Sequence, residues 1–229
     1  MPTSRPELRK GAFKRALCLL LVLGFLIVLG VVGITGCSST VQGTWPPAVS
    51  SPYPDLVLFD QSGSPVKLSE LRGKVILIEP IRMACTACQT FAGSHQYGPF
   101  GAVLPQAGLQ SLDTMLSIHA RGAVDRDDFQ IVQIIFFNSG DNPPTTSDLK
   151  AWDRHFHLHE RNILVLGAAS TGDGRIASSF IPGFQLLDRD LILRADATGS
   201  TPRQDLFREL MPMIPRLLNQ PADHQAALR

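Results

Sequence analysis

Cys85 and Cys88 stand two residues apart in the stretch RMACTACQT, residues 82–90, and no cysteine lies downstream of them. Two thiols at that spacing can exchange disulfides, hold a soft ion such as Cu(I), or sit as inert buried neighbours. On a helix, residues i and i+3 share a face and come close enough for a disulfide. A cysteine at a helix N-terminus gains thiolate stabilisation from the helix dipole and the free N–H groups. The spacing therefore predicts Cys85 as a partly exposed nucleophile and Cys88, one turn further in, as a shielded thiol able to resolve a mixed disulfide. Glu79 stands six residues before Cys85, in or at the end of an apolar run. A carboxyl there is expected to have a raised pKa through desolvation. The competing expectation is a strand-end glutamate that Pro80 diverts toward solvent.

The histidines offer few partners for a metal. His155, His157 and His159 lie in RHFHLHE. Residues two apart on a helix point to opposite sides, so only His155 and His159 could share a face, and they are expected on a solvated flank. His95, seven residues after Cys88, is the better third ligand for Cu(I), and Met83 adds a thioether. A structural zinc site usually takes four ligands, and there is no second cysteine pair.

Elements that could position these groups can be read along the chain. Asp55–Phe59 and Pro65–Leu68 flank the turn DQSGS as a hairpin. Ser69–Gly73 is a single helical turn. Lys74–Ile78 is an unbroken aliphatic run, which predicts a strand buried on both faces, and the cysteines follow it. Leu109, Leu112, Met115 and Leu116 recur at helical spacing. Gln130–Phe137 is a second buried strand, Leu149, Trp152 and Phe156 mark a helix face, and Asn162–Leu166 is a third strand. Phe184–Leu187 and Leu191–Ala195 form a hairpin about Asp188–Asp190. A stripe from Leu206 to Leu217 closes the chain, with Pro212 and Pro215 expected to kink or interrupt it. The order β-hairpin, β, α, β, α, β, β, α predicts an α/β domain whose mixed sheet is covered on both faces.

The 229 residues suffice for one domain with a leader and tails, and 44% hydrophobic residues suffice for a core. A formal charge of +1 with scattered Lys and Arg lacks the basic stripe that nucleic-acid binding needs. Residues 1–15 are basic, and residues 16–35 carry no charge. Twenty residues at about 1.5 Å each would span the roughly 30 Å hydrocarbon core, so a secretory signal and a membrane anchor both fit. The run ends on Ile34-Thr-Gly-Cys37, which resembles the bacterial lipobox. That resemblance implies cleavage before Cys37 and lipidation of Cys37, with Cys18 inert in the apolar run. Either way the basic flank stays inside and the rest is exported, into a compartment that permits disulfides. The expected organisation is a leader over 1–36, lipidated Cys37 with a flexible linker to 53, a domain over 54–218 and a polar tail over 219–229.

The strand, the cysteine turn and the later Pro182 hairpin together resemble the thioredoxin-like superfamily, and more closely its membrane-tethered TlpA/ResA-like and Sco-type branch. PDLVLFDQSGSPVKLSELRGKVILIEPIRMACTAC is similar to the opening hairpin, strand and active-site turn of that branch. DNPPTTSDLKAWDRHF resembles the segment after its next strand. Ile181–Asp188 resembles the stretch carrying its cis-proline. The likeness covers about residues 54–218, with an enlarged segment after the cysteine helix. It implies thiol–disulfide exchange on protein cysteines, including those of respiratory or cytochrome assembly, with no cofactor required. It implies that Glu79 moves the proton of Cys88 and that Pro182 helps dock substrate. The Sco-type alternative is copper delivery through Cys85 and Cys88, joined by His95. Residues 170–180 lack the histidine that Sco-type proteins carry there. A third alternative is a non-catalytic binding module whose pair is a structural disulfide. Two departures stand out: no aromatic precedes Cys85, and Thr86-Ala87 replaces the frequent proline between the cysteines. Arg82 also stands where peroxiredoxins resemble one another in carrying a Thr.

Overall fold

The computed structural model describes residues 47–169 and 179–220. The leader, Cys37, most of the expected linker and the polar tail lie outside the described residues. Among those described, no helix is long and apolar enough to cross a membrane.

Seven strands form one mixed sheet: β1 (Leu58–Phe59), β2 (Pro65–Val66), β3 (Val75–Arg82), β4 (Phe129–Phe137), β5 (Ile163–Ala168), β6 (Gly183–Leu187) and β7 (Leu193–Thr198). Their spatial order is β2-β1-β5-β4-β3-β6-β7. Strands β3, β4 and β5 run parallel, while β6 pairs antiparallel with β3 and β7 antiparallel with β6. Among the described residues five α-helices accompany them: α1 (Thr86–Ala92), α2 (Ser94–Tyr97), α3 (Leu112–His119), α4 (Thr146–Phe156) and α5 (Met211–Asn219). A parallel β3–α1–β4 unit followed by an antiparallel β6–β7 pair and a closing helix is the thioredoxin-like arrangement that the sequence leads one to expect.

Strand alternation sorts the core into two layers. Val75, Leu77 and Ile81 of β3 point to the layer that α1, α3, α4 and α5 cover, where Phe91, Met115, Trp152 and Ile214 pack. Ile76 and Ile78 point to the other layer, closed by Tyr53, Leu58, Leu68 and Leu191. Apart from Glu79, Gln130 and Gln133, the buried residues of β3 and β4 are apolar on both sides because both faces are covered.

Several boundaries differ from the sequence expectation for physical reasons. Strand β3 continues through Pro80 to Arg82. Its pairing with β6 ends at Ile78, so the missing proline N–H falls where that ladder has stopped. Residues 49–53 pack on the domain instead of joining a linker. The Tyr53 backbone N–H donates to Leu191 O at 2.8 Å, and its hydroxyl donates to Gln185 Oε1 at 2.8 Å. The closing stripe is not interrupted at its prolines: a π-helical stretch, Leu206–Leu210, runs directly into α5, and Pro215 lies inside that helix. Pro212 then falls in the first turn of α5, where a missing N–H costs little.

Gly183 opens β6 with φ near 140°, and a Cβ there would collide with the backbone of Ala197 and Thr198. Gly183→Ala is expected to destabilise the domain by about 1–3 kcal/mol, measured by urea unfolding. An unchanged midpoint would contradict this packing of β6 on β7.

Candidate redox site

The site is a turn between the central strand and α1. After Arg82, the Met83 N–H donates to Phe137 O of β4 at 3.0 Å, and the Cys85 N–H donates back to Arg82 O at 2.9 Å. Those two bonds turn the chain out of the sheet. Cys85 then takes extended dihedrals as the N-cap of α1, and its Sγ accepts the Cys88 backbone N–H at 3.3 Å. Both cysteines are free thiols; Cys85 is half-buried and Cys88 fully buried.

This geometry makes the two thiols unequal. Hydrogen bonding with the Cys88 side chain, the N–H groups of Cys88 and Ala87, and the Arg82 charge together outweigh burial and bring Cys85 down to about 7. A thiol of that pKa is about half thiolate at pH 7, against a few per cent for an ordinary cysteine. Burial pushes Cys88 well above the usual thiol range, with the hydrogen bond to Cys85 and the charges of Cys85 and Glu79 acting in the same direction.

Glu79 does not reach solvent; it is fully buried in mid-strand, paired in register with Gln133 of β4. The expectation of a solvent-seeking strand end fails because β3 continues through Pro80, which stays paired with Ile134 of β4. Glu79 points to the same layer as Cys88. Its Oε2 accepts Gln133 Nε2 at 2.8 Å, and Gln133 Oε1 accepts the Trp152 indole N–H at 2.9 Å. Its Oε1 has no hydrogen-bond partner among the described residues. Burial pushes the Glu79 carboxyl well above the carboxylate range; the Gln133 bond opposes that rise, the Cys85 charge adds to it and Arg161 opposes it.

The Ile181–Pro182 peptide is cis. Pro182 immediately precedes β6, and its carbonyl accepts the Gly199 N–H at 2.8 Å. Phe184, two residues on, meets the Phe91 ring of α1 edge-on at 4.9 Å. The start of β6 therefore lies against the cysteine helix.

The enlarged segment after the cysteine helix is tied down on α1. Gln89 is fully buried; its Nε2 donates to Met83 O (2.8 Å) and Phe100 O (2.9 Å), and its Oε1 accepts the Phe100 N–H (2.8 Å). Thr90 Oγ1 accepts the Gln106 N–H at 2.7 Å.

The histidines meet their sequence expectation only in part: His159 is exposed, as expected, and His155 is not. His95 is exposed on α2. Among the described residues no group of three or more His, Cys, Asp or Glu side chains comes close enough to hold a metal ion, so His95 does not join Cys85 and Cys88. Helix α4 ends at Phe156 and His157 turns left-handed, so His155 and His159 do not share a helix face. His155 is half-buried: its Nε2 lies 3.0 Å from Gly98 O and its ring packs on Phe100 and Phe156.

Sequence reasoning missed Gln133 and Gln89, and read Trp152 only as core. The available signal was the Gln inside QIVQIIFF, because a polar side chain in a buried strand must find a partner.

The domain is thus a thioredoxin-like fold presenting one activated and one shielded thiol at a helix N-terminus. No protein-family model matches the sequence, and no curated protein matches it. Solved structures do resemble it. The thioredoxin domain of a thiol-disulfide oxidoreductase from Bacteroides vulgatus matches at 15% identity and TM-score 0.44, covering 73% of this chain and 98% of that one. A thiol:disulfide interchange protein from Bacteroides sp. matches at 16% and 0.47, covering 79% and 96%. A SCO1/SenC family lipoprotein from Bacillus anthracis str. Ames matches at 16% and 0.48, covering 75% and 100%.

Alkylation of the reduced protein, followed by mass spectrometry, is expected to label Cys85 with a midpoint near pH 7. Cys88 is expected to stay unlabelled through that range. Equal labelling of both thiols would contradict the asymmetry.

Proposed function

We propose that this protein is an exported, membrane-tethered thiol–disulfide oxidoreductase acting on protein cysteines. The observation that carries the reading is the inequality of the pair: Cys85 with a pKa about 7 at the N-cap of α1, and Cys88 buried one turn behind it. The softness of two thiols also suits Cu(I), but His95 supplies no third ligand.

In the reductive direction the Cys85 thiolate attacks one sulfur of a substrate disulfide. A Cys85–substrate disulfide forms, and the other substrate sulfur leaves as a thiolate that takes a proton from water. The Glu79 carboxyl, protonated at rest, gives its proton up to water once the Cys85 charge is taken into the mixed disulfide; Cys88 then loses its proton to the resulting carboxylate and attacks Cys85 Sγ. The Cys85–Cys88 bond closes, and the second substrate sulfur leaves as a thiolate that takes a proton from water. The substrate gains two electrons and the pair gives up two; the oxidising direction is the same sequence reversed. Capture of the Cys85 charge in the mixed disulfide also removes one of the influences raising both Glu79 and Cys88. Resolution is thereby favoured once substrate is bound. Pro182, at the head of β6 beside α1, would offer its neighbouring backbone to an extended substrate segment.

The basic flank, the apolar run and Ile34–Cys37 support export with Cys37 as the lipidated anchor. On this reading the substrates are exported proteins near the membrane, and those of respiratory or cytochrome assembly are the first to try.

Reduction of a model protein disulfide by the full chain, with dithiothreitol as electron donor, tests the activity. Cys85→Ser is expected to fall to the uncatalysed rate. Glu79→Gln is expected to slow resolution of the mixed disulfide about 10²-fold and to remove one limb of its pH profile. Full activity in Cys85→Ser would overturn exchange, and an unchanged profile in Glu79→Gln would remove Glu79 from proton transfer. Metabolic labelling with palmitate is expected to mark the wild-type chain and not Cys37→Ser; equal labelling would sink the lipid anchor.

A further inference from the structure

We infer that Gln133 and Trp152 are positioning residues that fix which oxygen of Glu79 carries the proton and hold that oxygen toward the cysteine layer. The inference deepens the exchange reading and rests on it for its purpose, but its test does not need turnover.

The argument starts from donor and acceptor inventories. An indole N–H can only donate. The Gln133 atom 2.9 Å from Trp152 Nε1 is therefore its carbonyl oxygen, and the amide cannot be turned over without losing that bond. Its NH₂ group must then face Glu79 Oε2, at 2.8 Å. An oxygen accepting an N–H bond is the poorer place for a proton, so the acidic proton sits on Oε1. That is the oxygen without a partner among the described residues. All three side chains are fully buried, so water does not compete for these bonds.

The direction of the pair follows from the sheet. Gln133 lies in register with Glu79, and both project into the layer that contains Cys88. Trp152 is held from α4 by edge-on contacts with Phe156 (4.7 Å) and Phe100 (5.3 Å). Phe100 is in turn clamped by Gln89 to the carbonyl of Met83, two residues before Cys85. The same ring of contacts that sets the cysteine turn therefore sets the amide that orients Glu79. The other ionisable groups acting on Glu79 are Cys85 and Cys88 from the cysteine turn and α1, and Arg161 from the turn after α4. Arg161 is anchored by Nη1 to Ala92 O (2.7 Å) and Phe156 O (3.0 Å), and its Nε lies 2.8 Å from Asp113.

The test is the titration of Glu79 itself in the reduced full chain in detergent. Carboxyl ¹³C signals of glutamate-labelled protein are followed against pH, with Glu79 assigned by its loss in Glu79→Gln. Loss of the Gln133 donor removes stabilisation of the ionised carboxylate, so Gln133→Met is expected to raise the midpoint by about one pH unit or more. Trp152→Phe frees the amide to turn its oxygen toward Glu79 and is expected to raise it in the same direction. It also provides the test if Gln133→Met does not fold. A folded Gln133→Met or Trp152→Phe chain that keeps the wild-type midpoint would overturn the inference, because a role in packing alone lowers thermal stability without moving that titration. Disulfide reduction by the wild-type chain is read separately. A chain that shows the Glu79 shifts but reduces no disulfide contradicts the exchange reading and leaves the positioning pair standing.

Discussion

Glu79 and Cys88 share one apolar layer closed to water, and the site depends on that shared burial. A charge in such a layer is costly, and two negative charges close together are costlier still. Each group is therefore held in its protonated form, and each would raise the other if ionised. The negative charge of the pair falls instead on Cys85, the half-buried sulfur at the helix N-terminus with N–H donors around it. Attack and resolution are thereby ordered in time. The outer sulfur is ready before substrate arrives, and the inner one becomes easier to ionise when the outer charge disappears into a mixed disulfide.

The rest of the fold maintains this burial. Strand β3 places Glu79 between β4 and the covering helices, and both β4 and the antiparallel neighbour β6 are buried along their whole lengths. Helix α4 brings Trp152 over the layer, and its start is fixed by a capping box. The Thr145 side chain accepts the Asp148 N–H, while the Asp148 carboxylate accepts the Thr145 N–H at 2.8 Å. Gln89 saturates its amide on backbone groups of the cysteine turn and of the segment after α2. A polar side chain fully bonded in a core adds specificity at little desolvation cost, whereas a half-bonded one is a liability. Among the atoms of Glu79, Gln133, Trp152 and Gln89, Glu79 Oε1 has no partner among the described residues, and it is the position where a proton must come and go.

Much of this was legible from residue order. The run KVILI announced a doubly buried strand, and the Cys-x-x-Cys spacing announced two thiols on one helical face, whereas the prolines of the last stripe did not interrupt it. The misreadings came from context. Pro80 looked like a strand terminator because the end of the β6 ladder at Ile78 is not visible in sequence. His155 and His159 looked like an i, i+4 pair because a helix C-cap at His157, a left-handed non-glycine residue, leaves no obvious signal. Gln133 was legible as a buried polar residue in need of a partner, but that partner, Glu79, is 54 positions away; Gln89 bonds backbone atoms 6 and 11 positions away, which residue types do not reveal.

The most direct test of the central claim is the equilibrium potential of the Cys85–Cys88 couple in glutathione buffers as a function of pH. With both thiols protonated, two electrons carry two protons and the potential falls by about 59 mV per pH unit. Ionisation of Cys85 alone halves that slope to about 30 mV per unit. The account predicts a reversible couple with a break near pH 7, where Cys85 ionises. A pair that does not equilibrate with glutathione, or a reversible one with no break below pH 8, would contradict it.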